Sequence, residues 1–316
     1  MSERTSYYLR LLVSLALLAL ILSRVDLQGL IRVLGAAEPK KICLGLFLLL
    51  VISPLLGSLK VIVLLRGQNH TIAFSKMLGI DLTSRFYGLL APSGLGHGAV
   101  RWYRLGSEIH DRAAATVCVV FNRLSQTLTV VGIGTLCWIA DHDKPALSTS
   151  IFFYGLGALA LLYTALLTAP PRVMGERLCR RFLPQRALEL ALRLFRSMET
   201  MAGAGFTIHL LLMLVSACRQ SALIGGGFFL AMALGAPVTL VDLGWVSAVG
   251  FLVGHLPVSV AEIGVREWTY LTILESLGVE PSVALALPLL LSSASLTVAG
   301  VGGLVELVQV RRGHKQ

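Results

Sequence analysis

Two segments of this chain place an arginine nine residues behind a proline. They are LAPSGLGHGAVRWYRL at 90–105, with Pro92 and Arg101, and HLPVSVAEIGVREWTY at 255–270, with Pro257 and Arg266. Arginine presents a planar fork of N–H donors that grips phosphate or carboxylate through two bonds. Proline removes a backbone donor, and glycine permits turns closed to other residues. Such segments break helices and leave backbone groups to be satisfied by something else. Ser93, Gly94, Gly96, His97 and Gly98 accompany Arg101; Ser259, Glu262, Gly264 and Glu267 accompany Arg266. The chemistry these types support is capture of an anion by charge and hydrogen bonds.

The surroundings are apolar. Of 316 residues 55% are hydrophobic and 14% charged, against roughly 25% charge in soluble domains. Apolar runs at Tyr7–Leu22, Ile42–Leu65, Ala113–Ala140, Ile151–Ala169, Phe206–Leu234, Leu240–Leu256 and Val283–Val310 mostly approach or exceed the ~20 residues that cross a bilayer. Backbone groups in lipid must be satisfied within their own segment, so the runs are helices. The alternation of an outer-membrane barrel is missing. The first run, after Arg4 and Arg10, is read as a retained helix, because no small-residue cleavage site follows Leu22. The expected fold is all-α: a polytopic membrane bundle of about 7–8 spans forming one transmembrane domain over 1–316.

Irregular backbone at membrane depth is tolerated only around a protein cavity. Breakpoints at 90–101 and 256–267 therefore read as two re-entrant hairpins in pseudo-repeated halves, 1–140 and 204–316, the arrangement that marks a central binding site. Helix N-termini at the breaks suit phosphate. Asp81 and Arg85 lie one helical turn apart and are expected to pair. Arg123 and Arg219 fall within apolar runs, where ionisable residues mark function by default. Arg101, Arg266, Arg123 and Arg219 are thus the expected substrate-binding cations.

The formal charge of +10 reflects the cytoplasmic bias of Lys and Arg rather than nucleic acid. Residues 170–203 carry seven arginines (172, 177, 180, 181, 186, 193 and 196) against three glutamates, while 141–144 reads DHDK. The positive-inside rule places 170–203 and the tail with Arg311, Arg312 and Lys315 in the cytoplasm and 141–149 outside. Apolar residues recur through 173–198 at helical spacing, interrupted at Pro184, so this segment reads as a basic amphipathic helix or helix pair on the inner leaflet. The five cysteines are scattered and read as packing residues.

GLGHG at 94–98 follows no strand and lacks the spacing of a dinucleotide fingerprint. No nucleophile motif, metal spacing or paired acid and base is present, so neither a catalytic constellation nor a cofactor is expected.

LAPSGLGHGAVRWYRL resembles the "LP-x-x-x-G-G-x-x-x-R" segment of the transmembrane domain of lysylphosphatidylglycerol synthases. LPVSVAEIGVREWTYLTIL resembles that family's "LP-x-x-x-G-G-x-G-V-R-E" signature, and Arg123-Leu124 its arginine-leucine pair. The resemblance implies a flippase-like domain with two re-entrant hairpins meeting in the membrane. In full-length members it moves an aminoacylated lipid made by a separate soluble domain. There is no room for that domain here, so aminoacyl transfer is not expected. Ala261-Glu262 replaces the usual Gly-Gly, and Asn122 and Gln126 stand where acidic residues are frequent, so the substrate is expected to differ.

Three functions follow. The first is a translocase in the cell's inner (plasma) membrane that binds a phospholipid or lipid-linked headgroup. The second is an accessory subunit presenting a polyprenyl- or glycolipid to a separate lipid-modifying enzyme. The third is a proton-coupled small-anion transporter, with Asp81, Glu262 and the histidines as relay. The topology is testable by reporter fusions: phosphatase is expected to be inactive when fused at Gln185 and active at Asp143, and the reverse pattern would overturn it.

Overall fold

The computed structural model describes residues 27–90, 96–141, 149–182, 184–254 and 264–313, and every regular element among them is helical. In chain order these are α1 (Leu27–Ala36), α2 (Pro39–Phe47), a π-helical turn (Leu48–Ile52), α3 (Ser53–Gly67), α4 (Phe74–Leu90), α5 (Gly96–Glu108) and α6 (Arg112–Ala140). There follow α7 (Thr149–Leu167), α8 (Ala169–Phe182), α9 (Gln185–Ala202), α10 (Phe206–Ala233), α11 (Leu240–Gly254), α12 (Val265–Ser276) and α13 (Pro281–Gly313). Among the described residues four stretches are long and apolar enough to cross a membrane: Pro39–Gly67, Arg112–Ala140, Phe206–Ala233 and Pro281–Gln309; Phe153–Leu167 and Leu240–Gly254 are shorter apolar helices. The run Tyr7–Leu22 lies outside the described residues.

The first span owes its π-turn to a proline. Pro54 has no N–H to give to the carbonyl four residues back, and its ring presses on that turn. The helix widens there, and Ser53 N–H reaches back to Leu48 O, which keeps the chain paired. Asp111 starts α6 as its N-cap, its carboxylate accepting from Ala113 N at 2.9 Å and Ala114 N at 3.0 Å. The basic segment 170–203 forms α8 and α9, with Pro184 at the start of α9. Val173, Met174, Leu178 and Phe182 of α8 are exposed.

Spans lack a hydrophobic drive toward each other in lipid, so close approach at small residues holds them. Gly45 of α2 and Gly226 of α10 face one another: a Cβ on Gly45 would stand 2.8 Å from Gly226 O. Gly302 of α13 lies directly against the Leu82 carbonyl of α4. At the far end of α6, Trp138 meets Trp245 of α11 edge-on with ring centroids 5.1 Å apart, and Trp245 Nε1 donates to Asp141 Oδ2 at 2.8 Å.

Buried apolar residues gather in two clusters. One joins α3, α4, α5 and the first half of α6, around Leu64, Met77, Leu105 and Phe121. The other joins α10 to α13, around Leu230, Trp245, Leu274 and Leu285. Among the described residues, α6 and α10 contribute buried residues to both: Phe121 and Trp138 on α6, Leu212 and Ile224 on α10. Among the described residues α13 packs against both α4 and α12, and so stands beside both broken segments. The bends themselves, 91–95 and 255–263, lie outside the described residues.

The α4–α13 crossing yields a test. Gly302→Val drives a branched side chain into backbone that cannot yield, and overpacking costs about 1–3 kcal/mol. Gly300, with nothing within 4 Å of its Cβ position, is the control. Thermal unfolding in detergent is expected to show a clear drop for Gly302→Val and none for Gly300→Ala.

Candidate functional site

The site begins with one carboxylate. Asp81 of α4 is fully buried and accepts Arg85 Nε, one turn on, at 3.1 Å. It also forms an ion pair with Arg101 of α5, itself buried. Charged groups are almost never buried unless paired, and the pairing binds the two arms of the hairpin. Neighbouring hydroxyls satisfy themselves locally: Thr83 Oγ1 donates to Gly79 O at 2.9 Å and Ser84 Oγ to Ile80 O at 2.6 Å.

These arginines line a cavity of about 440 Å³ walled by α3, α4, α5, α6, α10 and α13. Lys60 of α3, 2% exposed, donates to Asn122 O of α6 at 2.8 Å. Arg219 of α10 lies across Gly57, where a Cβ would come within 3.4 Å of its Nε. Arg123 borders the cavity with its guanidinium carbon 5.6 Å from the Phe251 ring centroid, a cation–π arrangement. His97, Gln126 and Ser295 complete the polar lining. Five cationic side chains thus surround one hollow, and Asp81 is the described carboxylate in direct contact with them. On α10, Arg219 falls between Leu212 and Ile224, so the hollow sits where one apolar cluster gives way to the other.

Some donors in this hollow have no partner. Arg101 Nε and Arg219 Nε are N–H donors buried without a hydrogen bond among the described residues; His97 Nδ1, donor or acceptor according to its tautomer, is unpartnered too. Buried polar groups are normally satisfied, and each exception calls for a reason. Here Arg101 Nε and Arg219 Nε border an open, cation-rich cavity.

The second arginine has a different setting. Gly264 begins α12 with φ 87°, in the left-handed region that glycine favours. Its N–H donates to Glu267 Oε2 at 2.7 Å. Ser292 of α13 donates to Glu267 Oε1 at 2.5 Å and accepts from Arg266, whose guanidinium lies 3.7 Å from the same carboxylate. Arg266 thus fastens α12 to α13 and does not line the cavity; its anchor Ser292 is one turn from Ser295, which does. Of the sequence-derived residues, Arg101, Arg123, Arg219 and His97 come together. Gly96 is buried at the start of α5, and Gly264, Arg266 and Glu267 form the neighbouring lock. Ser93, Gly94, Ser259 and Glu262 lie outside the described residues.

Two features escaped the sequence reading. Lys60 sits inside an apolar run, where an ionisable residue is itself the signal. Arg104 of α5 is the other: it donates to Glu306 Oε1 of α13 at 2.6 Å and lies over the Tyr87 ring at 5.6 Å, while Tyr87 Oη donates to the same oxygen at 3.1 Å. Glu306 lies over two hundred residues away in sequence, and only the fold brings it to α5.

Membrane-length helices and a charged hollow walled by six helices define a multi-pass helical membrane protein with an internal polar site. Residues 7–303 match the description "Lysylphosphatidylglycerol synthase TM region", and the chain belongs to that family, a membrane domain linked to lipids. Comparison with curated proteins finds no match.

The carboxylate is open to test. Asp81→Asn leaves Arg85 and Arg101 facing each other without their counter-charge, and removing one partner of a buried pair costs about 3–5 kcal/mol. A large fall in melting temperature is expected by circular dichroism in detergent, partly recovered in Asp81→Asn/Arg101→Gln. Wild-type melting of the single variant would show that the pair carries no stability.

Proposed function

We propose that this protein is a flippase-like lipid translocase that holds an anionic, phosphate-bearing headgroup in the cavity between α3, α4, α5, α6, α10 and α13. The observation that carries the reading is the excess of cationic side chains around a hollow of about 440 Å³, with the Nε atoms of Arg101 and Arg219 unpartnered. A phosphate accepts several charge-assisted bonds at once and relieves the repulsion among the guanidiniums and Lys60. Arg219 takes the central role, because Arg101 already serves Asp81.

On this reading no bond is made or broken, so the protein is not an enzyme, and any modification of the lipid belongs to a separate enzyme. The protein lies in the cell's inner membrane. The arginine-rich α8–α9 segment and the C-terminus face the cytoplasm, by the charge bias of the loops.

The test is lipid carried through purification, read by native mass spectrometry. Charge-assisted hydrogen bonds contribute about 1.5–3 kcal/mol each, so Arg219→Ala is expected to reduce the bound anionic lipid roughly tenfold or more. Arg219→Lys, keeping charge but losing the fork, falls between. Both variants are expected to keep the wild-type melting temperature. An undiminished lipid load in Arg219→Ala would overturn the assignment.

A further inference from the structure

A second hollow, of about 810 Å³, opens on the side of the bundle where α9 lies. The end of α3, the turn after α5, the start of α6 and one face of α9 form its walls. Arg112, Arg193 and Arg196 line it from two different elements. All three are exposed, and none has a hydrogen-bond or ion-pair partner for its guanidinium among the described residues.

The carboxylate in the same hollow is already committed. Asp111 Oδ1 accepts Ala113 N and Ala114 N, and Oδ2 lies 3.7 Å from His70 Nε2. Three permanent cations therefore face one carboxylate that is serving as a helix cap. The walls are held in place without a ligand: Gln68, 5% exposed, accepts Ser197 Oγ at 2.6 Å and donates to Ala114 O at 3.3 Å. That pair of bonds ties α9 to α3 and α6. The hollow is preformed, and its volume lies within the roughly 300–1,000 Å³ of ordinary ligand sites.

Its depth follows from α8, which packs on α9. A helix that exposes Val173, Met174, Leu178 and Phe182 while carrying Arg177, Arg180 and Arg181 belongs at the boundary between lipid and water. That sets the hollow at headgroup level. We propose that it is a second anion site, taking a phosphate ester: the headgroup of an anionic phospholipid or a water-soluble phosphate ester of the same chemistry. Guanidinium forks on α6 and α9 grip the phosphate from two sides, and the remaining volume accepts the alcohol esterified to it. The inference stands on this cluster alone and does not require the central cavity to bind anything.

The experiment uses the full chain in detergent, freed of lipid, and two probes: short-chain phosphatidylglycerol, counted by native mass spectrometry, and glycerol 3-phosphate, followed by calorimetry. Arg193→Gln/Arg196→Gln removes two forks at exposed positions, and unchanged circular dichroism and melting report that the fold is kept. Arg193→Lys/Arg196→Lys is the conservative variant, expected to bind with intermediate affinity. Wild type is expected to take two phosphatidylglycerols, the Gln pair one, and Arg219→Ala one. The affinity of the site lost in the Gln pair falls roughly tenfold or more. Binding of glycerol 3-phosphate that the Gln pair abolishes identifies the phosphate ester itself as sufficient; binding of lipid alone assigns the site to a headgroup. A Gln pair that keeps both lipids, or a wild type that binds neither probe outside the Arg219 site, overturns the proposal while leaving the central site standing. Loss in the Gln pair alone, with Arg219→Ala unchanged, supports the second site and removes the first.

Discussion

The contact on which the site depends is the one between Asp81 and its two arginines. A buried carboxylate in an apolar bundle is tolerable only with its charge met and its oxygens hydrogen-bonded, and Arg85 and Arg101 do both. Because Arg85 belongs to the same helix and Arg101 to the returning one, the contact also fixes how α4 and α5 lie together. It leaves a surplus. One carboxylate cannot neutralise two guanidiniums, and Lys60, Arg123 and Arg219 add to the imbalance around the same hollow. The charge that closes the hairpin is thus the charge that makes the cavity attractive to an anion.

The same hairpin is fastened a second time, and the two fastenings differ. Three residues beyond Arg101, Arg104 reaches away from α4 to Glu306 of α13 and to Tyr87. The close approach of Gly302 to the Leu82 carbonyl brings α13 near enough for that bond. At the other breakpoint the roles are reversed: Glu267 caps its own helix through Gly264 and holds Ser292, and Arg266 closes the group from outside. Matching sequence spacing therefore gives two different circuits. Arg101 borders an open cavity, whereas Arg266, whose Nε is likewise unpartnered, joins α12 to α13 through Ser292.

Much of this was legible in the chain. The membrane-crossing helices followed from apolar length alone, since lipid leaves the backbone no alternative to a helix. The Asp81–Arg85 pair followed from spacing, and Arg123 and Arg219 from the cost of charge in an apolar run. His97 was legible as part of a broken segment. What spacing cannot supply is which surfaces face each other: Lys60 meets Asn122 across sixty-two positions and Arg104 meets Glu306 across more than two hundred. Those contacts depend on helix crossings, such as the one at Gly302 and the Leu82 carbonyl, whose partners the sequence does not reveal. For Arg266 the sequence could not supply the partner Ser292, which is on a helix that only the fold brings alongside.

The two hollows share three walls. Lys60 and Gln68 stand eight residues apart on α3, roughly 12 Å along its axis, and α5 and α6 likewise run from one hollow to the other. Between them lies a largely apolar layer in which Leu64, Leu65, Leu105, Ala115 and Cys118 are buried in one cluster, with the Trp102 Nε1 to Thr116 Oγ1 bond beside it. A phosphate crossing such a layer would lose its water and find no donor, a cost of several kcal/mol for a charged group even after relaxation. The arginines at either level therefore do not form a continuous polar path. Each level holds charge where backbone and side-chain donors can meet it, and the apolar layer keeps the two apart for as long as α5 stays fastened by Asp81 on one side and Glu306 on the other. α5 belongs to both kinds of structure: it contributes Leu105 to the apolar layer and is tied to its neighbours by the ion pairs of Arg101 with Asp81 and of Arg104 with Glu306.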